Sequence, residues 1–159
     1  MSNLKIGRMV LGNFQTNTYF VYREGTKNEN GLCQVILVDP AVSGKHIYDT
    51  MKQNGFQVAG VLLTHGHVDH IVGASELCKI SGAKLYVSEH EANLLQDMHL
   101  NLSEMFGTPC RVTPDVLLRD GENYAIADVS FRVISTPGHT EGGCCYYFEE
   151  GAFLISGDT

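Results

Sequence analysis

The stretch VLLTHGHVDHIVGA, residues 61–74, joins an apolar run directly to a cluster of polar side chains. Residues 57–65 are rich in aliphatic and β-branched residues, which predicts a buried strand. His65, His67, Asp69 and His70 then follow within six positions. Since a buried strand fixes the loop that leaves its end, the stretch predicts a rigid site with metal-ligand chemistry.

The spacing of these four residues suggests that their side chains do not all face the same point. Side chains two residues apart in an extended segment point the same way, so His65 and His67 can face one ion. Gly66 between them allows the backbone to bend closely. Asp69 and His70 lie where the loop turns into a predicted helix, and their side chains can therefore face a second point.

Three further candidates stand near the ends of other predicted strands: Asp39 in VDP, His139 in STPGHTEGG and Asp158 in ISGDT. Each of them, taken alone, is equally compatible with a simple turn beside proline or glycine. With the HxHxDH segment, two of them complete a set of six candidate metal ligands: His65, His67, Asp69, His70, His139 and Asp158.

The size of this set favours two divalent metal ions over one. A catalytic zinc ion usually has three protein ligands and one open position, so this set is too large for a single such ion. Two ions that share a bridging ligand use the whole set. Asp158 suits the bridge because a carboxylate has two oxygens. Zinc fits these ligands, and iron or manganese fits nearly as well.

Composition and charge narrow the classes of substrate and binding partner that are expected for this chain. The chain has 159 residues, 43% of them hydrophobic, and is expected to form a single domain over residues 1–159. Its formal net charge of −7 is a poor match for nucleic acid or an anionic membrane, so a small-molecule substrate is expected. We find no apolar run long enough to cross a bilayer and no signal peptide. The five irregularly spaced cysteines predict free thiols in a reducing cytoplasm, and the oligomeric state stays open.

Apolar patterning predicts an α/β layered domain, because strands lead, helices are interspersed and later strands cluster. Ser43 is expected to cap a helix that runs to about residue 54, with Ile47 and Met51 on its buried face. The SEHE segment, residues 88–91, has capping-box spacing and is expected to open another helix. Residues 100–118 read as a loop or irregular lid. The other predicted elements are a helix over 71–81 and strands over 4–11, 17–23, 33–40, 57–65, 84–87, 128–139, 144–148 and 152–156, of which the final pair forms a hairpin over residues 149–151.

The motifs THGHVDH, VDP, STPGHTEG and SGDT, in this order over residues 17–159, resemble the metallo-β-lactamase superfamily. The resemblance implies a four-layer αββα sandwich with a metal site at one edge of two sheets. In this family a last histidine ligand, further strands and a helix follow the SGDT motif. The domain is therefore expected to lack its final strands and helix, with an incomplete C-terminal part.

The resemblance also implies a role for each candidate residue. His65, His67 and His139 would bind the first metal ion. Asp69 and His70 would bind the second ion, and Asp158 would bridge the two. Asp39 would lie outside the ligand set and orient the ligand loops, as outer carboxylates do at metal sites.

Within the superfamily, the sequence resembles the glyoxalase II-like hydrolases, the hydroxyacylglutathione hydrolases and their single-domain relatives. Class B1 β-lactamases have a cysteine ligand at the place of the SGDT aspartate, and no cysteine stands there in this chain. The implied reaction is hydrolysis of a small thioester or ester by metal-activated hydroxide, with Asp69 as a catalytic residue that helps to hold the nucleophile.

Three alternatives remain open from the sequence. The first is oxidation at a single iron, as in the related persulfide dioxygenases. The second is phosphodiester hydrolysis, which the negative charge and the lack of a basic patch disfavour. The third is a metal-binding or interaction domain without catalysis.

Overall fold

Two β-sheets form the centre of the computed structural model, which describes residues 3–159. The larger sheet has six strands in chain order: β1 (Leu4–Leu11), β2 (Thr16–Arg23), β3 (Cys33–Val38), β4 (Phe56–Leu62), β5 (Lys84–Ser88) and β6 (Val116–Leu118). The smaller sheet has the order β10 (Phe153–Ile155), β9 (Cys144–Phe148), β8 (Val129–Ser135) and β7 (Asn123–Ile126). The helices are α1 (Gly44–Gln53), α2 (Val68–Ile71), α3 (Ala74–Ser81) and α4 (Ala92–Gln96).

The alternating side chains of β3 show how the layers pack, because successive residues of a strand point to opposite faces. Val35 and Leu37 lie in an apolar cluster with the buried faces of α1 and α3. Ile36 and Val38 lie in a second cluster with the side chains of β8 and β9. The larger sheet is therefore covered by helices on one face and by the smaller sheet on the other. The predicted α/β layered fold is confirmed, while the fourth, helical layer is not formed within residues 3–159.

Helix α1 confirms the sequence prediction. The Ser43 hydroxyl accepts a hydrogen bond from the backbone N–H of His46 at 3.4 Å, as an N-cap residue does. Ile47 and Met51 are buried against the larger sheet, one turn apart on the same face.

The helix predicted over residues 71–81 is wrong in its extent, since the chain forms two short helices with a break at Gly73. A Cβ atom at position 73 would lie 2.0 Å from the carbonyl oxygen of Val42. Gly73 therefore lets the loop before α1 pack directly against the start of α3. Its backbone N–H also donates to the Pro40 carbonyl at 3.0 Å, outside the helix.

The capping box predicted at residues 88–91 is also wrong. Helix α4 begins only at Ala92, and Glu91 makes no side-chain hydrogen bond to the first turn of this helix. The Glu91 side chain instead accepts a hydrogen bond from the Thr140 hydroxyl at 2.7 Å. The local spacing predicts that Glu91 contacts its own helix, but the fold places its side chain against Thr140, which is distant in the sequence.

Two strands were not predicted. Strand β6 lies in the stretch 100–118, which is otherwise irregular, and β7 lies between two turns. Strand β8 ends at Ser135, so residues 136–139 belong to a loop and not to the predicted strand 128–139. The hairpin over residues 149–151 is confirmed by the pairing of Phe148 with Phe153.

The parallel strands β3 and β4 end at the same edge of the larger sheet. Asp39 follows β3, and Thr64 and His65 follow β4. The loop after β8 and the turn after β10 bring His139 and Asp158 to this edge from the smaller sheet.

Among residues 3–159, no helix has the length and apolar character that a membrane crossing needs.

All five cysteines are free thiols, and the protein packing protects some of them. Burial raises the pKa of Cys144 to about 12 and that of Cys78 to about 11. A raised pKa leaves less thiolate at a given pH, and only the thiolate is alkylated rapidly. At pH 8 we expect Cys144 to react with iodoacetamide at least about 100-fold more slowly in the native protein than in urea. Peptide mass spectrometry over a time course measures both rates, and equal rates would contradict the packing described for β9.

Candidate metal centre

Three histidines form the first group at the sheet edge. The ring nitrogens of His65, His67 and His139 all lie within 4.8 Å of one another. The closest approach is between Nδ1 of His67 and Nε2 of His139, at 3.0 Å. Two imidazole nitrogens at this separation can share a proton or bind one cation. Burial and the nearby His139 lower the pKa of His67, which favours the neutral ring that binds metal.

The carboxylate of Asp158 connects this group to a second one. Its Oδ2 atom lies 3.6 Å from Nε2 of His65, 3.3 Å from Nε2 of His70 and 3.4 Å from Nε2 of His139. His65, His70 and Asp158 form a second group with ligand atoms within 4.8 Å of one another. Ligand atoms at about 2.0–2.1 Å from a tetrahedral metal ion lie roughly 3.3–3.4 Å apart, so these separations fit ligation.

The hydrogen bonds around Thr64 fix the tautomer of His65. The Thr64 hydroxyl donates to Oδ2 of Asp39 at 2.7 Å, which uses its single proton. Nδ1 of His65 lies 3.1 Å from the same hydroxyl oxygen and must therefore be the donor. Nε2 of His65 is left with a lone pair, is buried, and has no hydrogen-bond partner among residues 3–159. Such an orphaned acceptor, aimed into a cluster of ligand types, fits a metal ion.

Burial also sets the protonation state of His65. It lowers the pKa of His65 to about 4, and the adjacent positive charge of His70 contributes to the same effect. His65 is therefore neutral at pH 7, as a ligand must be.

Asp39 also orients His70, through a direct hydrogen bond. Nδ1 of His70 lies 2.9 Å from Oδ2 of Asp39, and Oδ1 of Asp39 accepts the backbone N–H of Thr64 at 2.8 Å. Nε2 of His70 then faces Asp69 and Asp158, at 3.3 Å from each. Burial alone would lower the pKa of His70, but the hydrogen bonds and charges of Asp39 and Asp69 outweigh it and raise this pKa to about 10.

Asp69 is held beside the centre by the neighbouring strand. Its Oδ2 atom accepts a hydrogen bond from the Thr16 hydroxyl at 2.9 Å. Burial opposes the ionisation of Asp69, but the contacts with His70 and Thr16 outweigh it and lower its pKa to about 2. Asp69 is thus an ionised acceptor at neutral pH.

Glycine shapes two of the ligand segments. At Gly157 the backbone has a φ of +59°, and a Cβ atom there would lie 2.5 Å from the Thr64 hydroxyl oxygen. Only glycine meets both conditions, and this turn brings Asp158 back toward the histidines. Gly66 is needed for space instead, because a Cβ atom there would lie 2.5 Å from Cδ2 of Leu94 and 2.9 Å from Cδ2 of Leu95.

Gly66→Ala is expected to push helix α4 and the His65–His67 loop apart, and to weaken metal binding by about 10-fold or more through the displaced histidines. Competition with a chromogenic chelator measures this affinity. The double variant Gly66→Ala/Leu94→Ala removes the nearest clashing atom and should recover part of the loss. If it recovers nothing, the close approach of α4 is not what sets the loop.

The sequence analysis did not identify Glu91, whose side chain contacts the loop that bears His139. Its side chain is fully buried and accepts the Thr140 hydroxyl, next to His139. The backbone N–H groups of Gly66 and Gly142 also favour its ionised form, although burial outweighs them and raises the pKa of Glu91. Through Thr140, Glu91 therefore ties the segment before α4 to the loop that bears His139. No local signal in the sequence indicates this role.

The structure brings all seven predicted site residues together at one sheet edge: Asp39, His65, His67, Asp69, His70, His139 and Asp158. The remaining histidines, His46, His90 and His99, are exposed on the surface. The donor set therefore fits divalent metal ions.

The profile of the metallo-β-lactamase superfamily matches residues 11–159, nearly the whole chain. The chain belongs to the metallo-β-lactamase superfamily. Members of this superfamily bind divalent metal ions, in agreement with the ligand geometry. The probable metallo-hydrolase YqgX of Bacillus subtilis (strain 168) is 31% identical over 157 residues, covering 98% of this chain and 71% of the relative.

A hydroxyacylglutathione hydrolase of Methylococcus capsulatus (strain ATCC 33009 / NCIMB 11132 / Bath) is 30% identical over 132 residues. The match covers 83% of this chain and 45% of that enzyme. The chain thus spans from under half to about seven-tenths of the length of these two curated relatives. Among solved structures, the BLEG-1 B3 metallo-β-lactamase superimposes with a TM-score of 0.80 at 28% identity, covering 96% of this chain and 71% of that one. These matches confirm the superfamily and the fold that the sequence motifs indicate.

Proposed function

We propose that this superfamily member is a metal-dependent hydrolase of small thioesters or esters that uses two divalent ions. The observation that most directly supports this proposal is the position of Asp158, whose Oδ2 atom lies 3.3–3.6 Å from nitrogens of both histidine groups. A carboxylate that reaches both groups suits a bridge between two ions. Residues 1–159 are proposed to act as one domain in this reaction.

The ligand roles follow from the two groups. His65, His67 and His139 would hold the first ion. Asp69 and His70 would hold the second ion, and Asp158 would bridge the two. Asp39 supports both sides by fixing the tautomers of His65 and His70. Zinc suits this histidine and carboxylate set, with iron or manganese as alternatives.

When bound, the two ions would supply hydroxide at neutral pH and polarise the acyl carbonyl. The chain's own groups orient the reaction. Asp69 is ionised and fixed by Thr16, so it can accept a hydrogen bond from the attacking water and direct it to the acyl carbon. The carbon–sulfur bond then breaks, and the thiolate departs without needing a general acid. The products are a carboxylate and a thiol.

The similarity to a hydroxyacylglutathione hydrolase supports the thioester class. The absence of a transmembrane helix in residues 3–159, the free cysteines and the negative charge are compatible with a small-molecule substrate in a reducing cytoplasm.

The test combines metal analysis with activity. Protein loaded separately with zinc, manganese and ferrous iron is analysed for metal per chain and assayed on acyl thioesters and aryl esters. We expect two ions per chain and thiol release with at least one metal. One iron per chain with oxygen uptake on a persulfide, and no thioester hydrolysis, would overturn the proposal in favour of dioxygenase chemistry.

A further inference from the structure

A second cavity of about 240 Å³ opens beside the metal centre. Its walls are mainly apolar and come from four places: the β1–β2 turn with the strand ends that flank it, the loop between β3 and α1, helix α2 with the residue that follows it, and the loop between α4 and β6. The apolar lining residues are Leu11, Phe14, Ala41, Val68, Val72 and Phe106. Ligand pockets usually measure about 300–1,000 Å³, so this cavity suits one part of a small molecule.

This cavity adjoins the metal cleft. The cleft, of about 270 Å³, is lined by His70 and Asp158 and also by Phe14, Thr16 and Asp69. The last three residues also line the apolar cavity. The two cavities therefore border each other at these three residues, and a group attached to a reacting carbon beside Asp69 would lie next to the apolar cavity.

Two aromatic rings line the cavity. Phe14 and Phe106 meet edge to face with ring centroids 4.9 Å apart. Their residues are nevertheless 56% and 47% exposed, which is unusual for large apolar groups in contact. An apolar ligand packed against both rings would remove this surface from water.

The wall that bears Phe106 is anchored and not a loose flap. Asn101 and Ser103 are fully buried in the same loop. The Asn101 carbonyl accepts the backbone N–H of Val68 at 2.8 Å, and its side-chain amide donates to the Cys110 carbonyl at 2.9 Å. The loop is thereby tied to the HxHxDH segment, so the cavity is largely pre-formed.

We infer that the apolar cavity lined by Phe14 and Phe106 binds the apolar acyl chain of the substrate. This inference rests on the proposed function and narrows it to thioesters of short aliphatic acids, about four to six carbons long. The acyl carbon lies at the metal cleft, and the chain runs past Thr16 to the two rings.

The test is a chain-length series of N-acetylcysteamine thioesters, from acetyl to hexanoyl, with the zinc-loaded protein. Each buried methylene favours the transition state by roughly 4-fold, so we expect kcat/KM to rise at least about 10-fold from acetyl to hexanoyl. Phe14→Ala and Phe106→Ala should each reduce this preference to below about 3-fold. Phe106→Leu keeps apolar volume and should retain most of it. Leu117→Ala, on the 50% exposed Leu117 of β6, is the matched control and should leave the preference unchanged.

A binding measurement separates this inference from the proposed function. The amide analogue of the hexanoyl thioester cannot be hydrolysed readily, and its binding is followed by ligand-observed NMR. Hydrolysis without a chain-length preference, or with a preference that neither phenylalanine variant changes, would overturn the inference and leave the hydrolase proposal standing. Binding of the amide that depends on Phe14 and Phe106, with no thioester hydrolysed at full metal occupancy, would overturn the hydrolase proposal and support the apolar site.

Discussion

His67→Ala is expected to lower thioester hydrolysis on the order of 1,000-fold and to remove metal from the first site. His67 supplies Nδ1 at 3.0 Å from Nε2 of His139, and alanine offers no atom in its place. The loss follows because the ions would supply several kcal/mol of the transition-state stabilisation, and 1.36 kcal/mol corresponds to a tenfold change in rate. Elemental analysis and the initial rate on one thioester, measured on the same preparation, check both parts of the expectation.

A matched control is available on helix α1. His46 is exposed, and its replacement by alanine suits a helix. His46→Ala should therefore retain full metal content and full activity. If His67→Ala keeps both as well, the HxHxDH segment is not the metal centre. If it loses metal but keeps activity, the metal is not part of the reaction.

Asp39→Asn is expected to weaken metal binding by about 10- to 100-fold, although Asp39 belongs to neither of the two ligand groups. The substitution keeps the size of the side chain, and asparagine tolerates the left-handed backbone at this position, where φ is +57°. The change therefore tests the charge and the hydrogen bonds of the carboxylate and not packing.

The expected loss arises because the carboxylate accepts hydrogen bonds from three donors. Oδ1 accepts the Thr64 N–H, and Oδ2 accepts the Thr64 hydroxyl and Nδ1 of His70. An amide NH2 in place of Oδ2 donates instead, so the Thr64 hydroxyl turns toward Nδ1 of His65. The proton of the neutral His65 ring then moves to Nε2, the atom that faces the metal centre, and His70 loses the carboxylate that accepts its Nδ1–H.

Nitrogen-15 NMR of the histidine rings reads this tautomer change directly, alongside a chelator titration for affinity. Asp49→Asn provides the control, because Asp49 is an exposed carboxylate paired with Lys45 on α1. We expect wild-type affinity and wild-type tautomers in that variant. Wild-type affinity in Asp39→Asn would show that the outer carboxylate does not orient the ligands.

The placement of the candidate ligands at one sheet edge could be predicted from the sequence because they occur in short segments next to apolar runs. HxHxDH follows an apolar run, and Asp39 and Asp158 stand just after other apolar runs, so local patterning places them all at strand ends. The buried strands β3 and β4 then carry these segments to one edge. The same local reasoning predicted α1 and the hairpin between β9 and β10.

What the sequence did not predict depends on distant partners. Glu91 has the spacing of a helix cap, yet it lies beside Thr140, which is 49 positions away in the sequence. The Val42 carbonyl packs against Gly73, where α2 and α3 are separated, and no local sequence pattern indicates that contact. Strands β6 and β7 are three and four residues long and pair with strands whose own positions must already be known. Short segments of this kind lack enough residues to show a period.

The most direct test of the central claim is an anomalous-scattering experiment on crystals of the zinc-loaded protein, with data collected on both sides of the zinc absorption edge. The proposed binuclear centre predicts two zinc peaks per chain, one contacted by His65, His67 and His139 and the other by Asp69 and His70, with Asp158 between them. A single peak at this edge, or a second peak that does not contact His70 and Asp158, would contradict the binuclear centre.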